Sequence, residues 1–265
     1  QVIEVFNHVS DKFHTEMGYT RPPSDGYYSS TRDKGGSDHY DIYIRAIPSK
    51  YYGYVQPEEY AQGKGDNERS ELRSEKNSFT SYMAIRNNYK KFSLSEIENI
   101  KVTAAHEYFH AIQWGYSSDT NSNAYFYEMS SMWFEDVMIP AGNDYLEYSW
   151  IKDLFDHPTR AFNNTGQGYE LALFGHYLSS FIDLNGQMDA KQSSIIREIW
   201  ERFGDTNSSA FSAVQYVLDG ESYSLTFIEA WADFISRNLY NGIYENMDND
   251  FYYDPALIID KQNFL

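Results

Sequence analysis

Ser93-Leu94-Ser95-Glu96-Ile97-Glu98-Asn99-Ile100-Lys101-Val102-Thr103-Ala104-Ala105-His106-Glu107-Tyr108-Phe109-His110-Ala111-Ile112-Gln113-Trp114-Gly115 is the stretch on which the reading of this chain turns. Ser93 and Glu96 have capping-box spacing, and Ser95 and Glu98 repeat it two residues later, so a helix begins here. Gly115 is well placed to stop it just after Trp114. His106 and His110 then lie one turn apart on one face, where both imidazoles can reach a single metal ion. Glu107 stands beside the first of them, positioned to act as general base toward a metal-bound water. Seven histidines and 19 glutamates in 265 residues would yield this pattern by chance about 0.01 times per chain. Read instead as an ordinary buried helix, the segment would have to supply buried partners for both imidazoles.

A catalytic zinc takes three protein ligands and leaves one position for water. Cysteine is absent, so the third ligand must be His, Asp or Glu. Positions 113 and 116 are Gln113 and Tyr116, which excludes the HExxHxxGxxH arrangement. The next helical pattern, residues 124 to 138, offers Glu128, Glu135 and Asp136. Glu128 needs the shortest return path, Glu135 lies two turns further along the same face, and Asp136 follows it. Glu135 and Asp136 read equally well as a solvated helix end or as groups orienting a ligand histidine.

Upstream of this helix the periodicity is mixed. Val2, Val5, Phe6, Val9 and Phe13 have helical spacing, ended by Gly18 and the turn-rich segment Arg21 to Gly26. Tyr40, Ile42 and Ile44 alternate with Asp41, Tyr43 and Arg45 as a strand, Tyr52 to Val55 forms a short strand before Pro57, and Phe79 to Ile85 is a third extended run. Between the last two, residues 58 to 78 read as an exposed polar loop with Gly63 and Gly65. Downstream, helical patterns cover residues 124 to 138, 169 to 182, 192 to 203, 209 to 218 and 225 to 239. The class is α+β, with a small N-terminal sheet on the helix of the two histidines and a mainly helical second half. No linker divides residues 1 to 265 into independent domains. Residues 1 to 115 form the sheet-and-helix part and residues 116 to 265 the helical part.

Composition removes several function classes. A formal charge of −18 disfavours nucleic acid and anionic lipid surfaces, and no run approaches the roughly 18 apolar residues of a membrane span. The 25 tyrosines, 17 phenylalanines and five tryptophans belong to a packed protein. Gln1 to Phe6 lacks the zones of a signal peptide, so export implies one already removed. Asp119, Asn121 and Asn123 alternate like the start of a Ca2+ loop, but the sixth and twelfth positions lack Gly and Glu, which favours a polar loop. Asp248, Asn249 and Asp250 are a weaker case. His8, His14, His39 and His157 have no motif context.

His106-Glu107-Tyr108-Phe109-His110 with a glutamate some twenty residues later resembles the gluzincin class of zinc metallopeptidases. A closer resemblance is to a family of secreted bacterial metallopeptidases with a HE(F/Y)FHAxQ helix, matched by His106 to Gln113, and an E-G-T-A-x-W-x-E-like helix, matched by Glu128 to Glu135. Tyr40 to Ile44 and Tyr52-Gly53-Tyr54 are similar to that family's strand and YGY segment, so the likeness covers roughly residues 20 to 185. Met129 departs from a usual Gly. Met132 stands where many gluzincins place an Asp supporting the first histidine, which leaves Ser131, Glu135 or nothing in that role.

The resemblance implies a zincin-like fold and a secreted zinc peptidase, most readily an endopeptidase, acting on a peptide or protein; the chain is expected to be a monomer. In it His106, His110 and Glu128 hold Zn2+ and Glu107 is the base. Phe79 to Ile85 reads as the edge strand of the sheet; the resemblance implies that it pairs with an extended substrate, and an ordinary edge strand is the equal alternative. An oxyanion donor is needed as well, and Tyr169 and His176, seven apart on one helical pattern, are the candidates. The competing reading is a non-catalytic secreted module that binds protein or glycan around a structural metal. Three protein ligands favour the enzyme, and four favour the module.

Overall fold

A computed structural model describes residues 1–27, 35–48, 50–61, 78–140, 144–146, 148–157, 159–164, 168–206 and 208–239. Most of the polar loop over 58 to 78 and the run Asp248, Asn249 and Asp250 lie outside the described residues. Contacts cluster into two compact units. The first is Gln1–Asn121 with Trp200–Ser208, and the second is Ser122–Ile199 with the described part of Ser209–Leu265. Their boundary follows the loop after the two-histidine helix rather than residue 115.

The first unit begins with α1 (Val2–Ser10), which buries Val5, Phe6 and Val9 and continues as a π-turn over Asp11–Glu16. Three strands follow: β1 (Ile42–Arg45), β2 (Gly53–Tyr60) and β3 (Phe79–Arg86). Their order is β1-β3-β2, with β1 parallel and β2 antiparallel to β3, so the sheet is mixed. This corrects one expectation. Phe79 to Ile85 lies in the central strand, paired with β2 along Phe79 to Ile85 and with β1 from Met83 onward, so it is not the edge strand of the sheet. Its residues explain the placement, because Thr80, Ser81, Met83, Ala84 and Ile85 are all buried, as a central strand demands. β2 also runs through Pro57, a residue without an N–H that an edge strand tolerates, and the register shifts between Pro57 and Tyr60.

The long helix α2 (Glu96–Tyr116) packs on β3 and β2. Its start uses the second of the two capping frames: Ser95 Oγ accepts from Glu98 N, and Glu98 Oε2 accepts from Ser95 N at 3.0 Å. Gly115 does not stop the helix, which runs one residue further to a C-cap at Ser117. Its missing side chain serves packing instead, since a Cβ there would stand 3.1 Å from Pro23 Cδ. Aromatic rings fill the core of this unit. Phe13 meets Phe109 at 4.9 Å and Tyr19 at 5.4 Å between centroids, and Trp200 meets Tyr116 at 6.2 Å.

The second unit is helical. It comprises α3 (Ala124–Met138), α4 (Tyr148–Asp156), α5 (Ala172–Tyr177), the first residues of α6 (Ile195–Asp205), α7 (Ala210–Asp219) and α8 (Phe227–Leu239). α4 has no counterpart in the sequence reading, since its nine residues carry only a short apolar stripe, Ile151 and Leu154. The single pattern over 169 to 182 resolves into a 3-10 turn (Tyr169–Leu171), α5 and a π-turn (Leu178–Ile182). Phe174 sits among Phe162, Trp231 and Phe234 at 5.2 to 5.3 Å, and Trp133 Nε1 donates to Ser179 Oγ at 2.8 Å. No helix among the described residues is long and apolar enough to cross a membrane.

Candidate metal centre

From Val102 to Gln113, α2 is buried at every position except His106 and His110. In α3, Glu128 is the one residue from Tyr125 to Glu135 that is not fully buried. These three breaks in otherwise buried runs are the residues that gather: each offers one ligand atom, and the three atoms lie within 4.8 Å of one another. The group could hold a metal ion, and it is the one such group among the described residues. Glu135 and Asp136, the other sequence candidates for the third position, are not in it.

Helical spacing brings the two imidazoles together, with His106 Nε2 3.0 Å from His110 Nε2 and the ring planes at 82°. On the far side of the second ring, His110 Nδ1 lies 2.7 Å from Gln113 Oε1. Glu107 is buried, 7% exposed, on the side of α2 that faces the sheet. Gly53 of β2 leaves the space that its side chain occupies. Tyr40 belongs to the same neighbourhood. Its hydroxyl bonds Ser81 Oγ at 2.9 Å, and burial pushes its acidity far down, with the charges of Tyr108, Glu107 and Asp25 adding to the effect.

A second, half-buried network supports the helix from behind. His14 Nδ1 donates to the Tyr19 carbonyl at 2.9 Å, which leaves Nε2 to accept from Tyr108 Oη at 3.0 Å. Burial lowers the His14 pKa to about 4, so the ring is neutral and anchors the residue next to Glu107. His14 has no motif context in the sequence, and only the tertiary contact reveals its place.

The two oxyanion candidates lie in the second unit. Tyr169 belongs to the 3-10 turn before α5, its ring 4.9 Å from that of Trp150. The seven-residue spacing to His176 therefore does not run along one α-helix. His176 is 4% exposed, its ring is 4.3 Å from that of Tyr145, and Nε2 stands 3.6 Å from Asp136 Oδ2, beyond hydrogen-bond reach. Burial lowers its pKa to about 3, so the imidazole is neutral and the approach to Asp136 is not an ion pair. At the end of the loop after α2, Asn123 Oδ1 accepts from Ala210 N at 2.8 Å at the start of α7. Ser131 and Glu135, the candidates for supporting a histidine ligand, are both buried.

No family model matches this chain, and neither a curated protein nor a solved structure matches it.

Proposed function

We propose that this chain is a zinc-dependent peptidase. The observation that carries the reading is the gathering of His106, His110 and Glu128 with Glu107 next to the first ligand. Two imidazoles and one carboxylate are a donor set suited to zinc, and nitrogens sharing one tetrahedral zinc stand about 3.3 Å apart, close to the 3.0 Å between the two Nε2 atoms. Among the described residues the group has three members, which supports a catalytic rather than a purely structural metal. When bound, the ion supplies Lewis acidity, which polarises a scissile carbonyl and makes water acidic enough to attack near neutral pH.

The remaining work falls to the chain. Glu107 accepts a proton from the attacking water as its oxygen bonds to the carbonyl carbon. It then delivers that proton to the amine nitrogen as the C–N bond breaks. Tyr169 and His176 are the candidates for donating a hydrogen bond to the oxyanion. The reading includes a monomer acting on peptide or protein substrates after export, and the charge of −18 fits an exported protein.

The test is Glu107→Gln. Metal analysis should find the wild-type zinc content, while hydrolysis of an unstructured protein substrate falls about 10²- to 10⁴-fold. Hydrolysis at the wild-type rate sinks the reading. In the same assay, Tyr169→Phe or His176→Gln should lower kcat about 10²- to 10³-fold if that residue is the oxyanion donor. A rate unchanged in both variants removes both from the role.

A further inference from the structure

We propose that Gln113 is a positioning residue of this centre, which fixes the proton of His110 on Nδ1 and so keeps the Nε2 lone pair directed at the metal position. The inference rests on the metal-centre reading above and adds to it how one ligand is prepared. Gln113 lies three residues after His110 on α2, so helical geometry places both on one side. Its side chain is fully buried, and Oε1 is 2.7 Å from His110 Nδ1. An amide oxygen only accepts, so the shared proton must sit on Nδ1. Nε2 is then unprotonated, and it is this atom that faces His106 Nε2 at 3.0 Å.

Ligand histidines usually pass their second N–H to a carboxylate, a backbone carbonyl or water. Here a neutral side-chain amide from the ligand's own helix fills that position. It orients the ring without adding negative charge, so a carboxylate at 113 should make His110 a stronger donor, and an apolar residue should release the ring.

Zinc affinity of the full chain, read by competition with a chromophoric chelator, tests this on the wild type, Gln113→Leu and Gln113→Glu. Gln113→Leu should bind zinc about 10- to 100-fold more weakly, and Gln113→Glu at least as tightly as the wild type. Affinity of Gln113→Leu within about twofold of the wild type overturns the proposal, as does Gln113→Glu weakened as much as Gln113→Leu. Should Gln113→Leu fail to fold, the wild-type apo protein decides. Long-range 1H–15N correlations should place the His110 proton on Nδ1, and a proton on Nε2 overturns the proposal. A wild type that takes up no zinc would refute the peptidase reading, while the His110 correlation still reports on the Gln113 contact by itself.

Discussion

A Cβ added at Gly53 would lie 2.8 Å from Glu107 Cγ, 2.9 Å from Thr103 Cγ2 and 3.0 Å from the Ala84 carbonyl oxygen. Two of these are side-chain atoms of α2 and the third is the backbone of the central strand, so there is little slack to absorb a methyl group. Thr103 is further tied by donating to the Asn99 carbonyl at 2.6 Å and accepting from Tyr89 Oη at 3.1 Å. The side chain with most freedom to move is therefore Glu107. Gly53→Ala should shift its carboxylate while leaving His106 and His110 in place. The expected result is kcat reduced about 10²-fold with unchanged zinc content. A wild-type kcat would show that Glu107 is not held from this side. The sequence displays Gly53 between Tyr52 and Tyr54, but nothing local says that it faces the glutamate of α2.

The ends and edges of the elements separate what short patterns encode from what they leave open. Two overlapping capping boxes precede α2, and residue types alone do not choose between them. Ser95 is the cap because it takes the extended backbone (φ −61°, ψ 159°) while Glu96 is already helical. Ser95→Ala should therefore cost about 1 kcal/mol of stability, and Ser93→Ala should change it by no more than a few tenths. Urea denaturation of the two variants checks this, and equal losses would refute the choice of frame. The strands show the opposite case. Alternation located β1 and an extended run located β3, yet strand order depends on pairings between residues some forty positions apart, as in Ile42 with Met83. The periodicity of Phe79 to Ile85 is compatible with either an edge or a centre, and the pairing of β3 with β1 on one side and β2 on the other makes it central. The helix over 169 to 182 shows the same limit, because a continuous apolar stripe does not reveal where 3-10 and π turns interrupt it.

Two histidines held in the neutral form, one half-buried in the first unit and one buried in the second, tie stability of the chain to pH. The folded pKa is lowered from 6.5 to about 4 at His14 and to about 3 at His176, in both cases chiefly by burial. Above pH 6.5 both rings are neutral whether the chain is folded or not, and they add no pH dependence. As pH falls below 6.5 the unfolded chain takes up protons that the folded chain refuses, so stability declines, toward pH 4 for His14 and toward pH 3 for His176. Between pH 7 and pH 5 the His14 contribution is on the order of 2 kcal/mol. His14→Gln should flatten the stability profile in that window, and a slope equal to that of the wild type would refute the assignment. The sequence by itself determined the α+β class, the helix of the two histidines and the placement of Glu107 beside them. These depend on periods of two and 3.6 residues and on caps, all contained within a few turns of chain. Only the tertiary structure gathered Glu128 with His106 and His110, put β3 at the centre of the sheet, set Gly53 against Glu107 and gave His14 a partner in Tyr108. Each of these depends on residues distant in sequence meeting at close range, and such meetings leave no periodic trace in the chain.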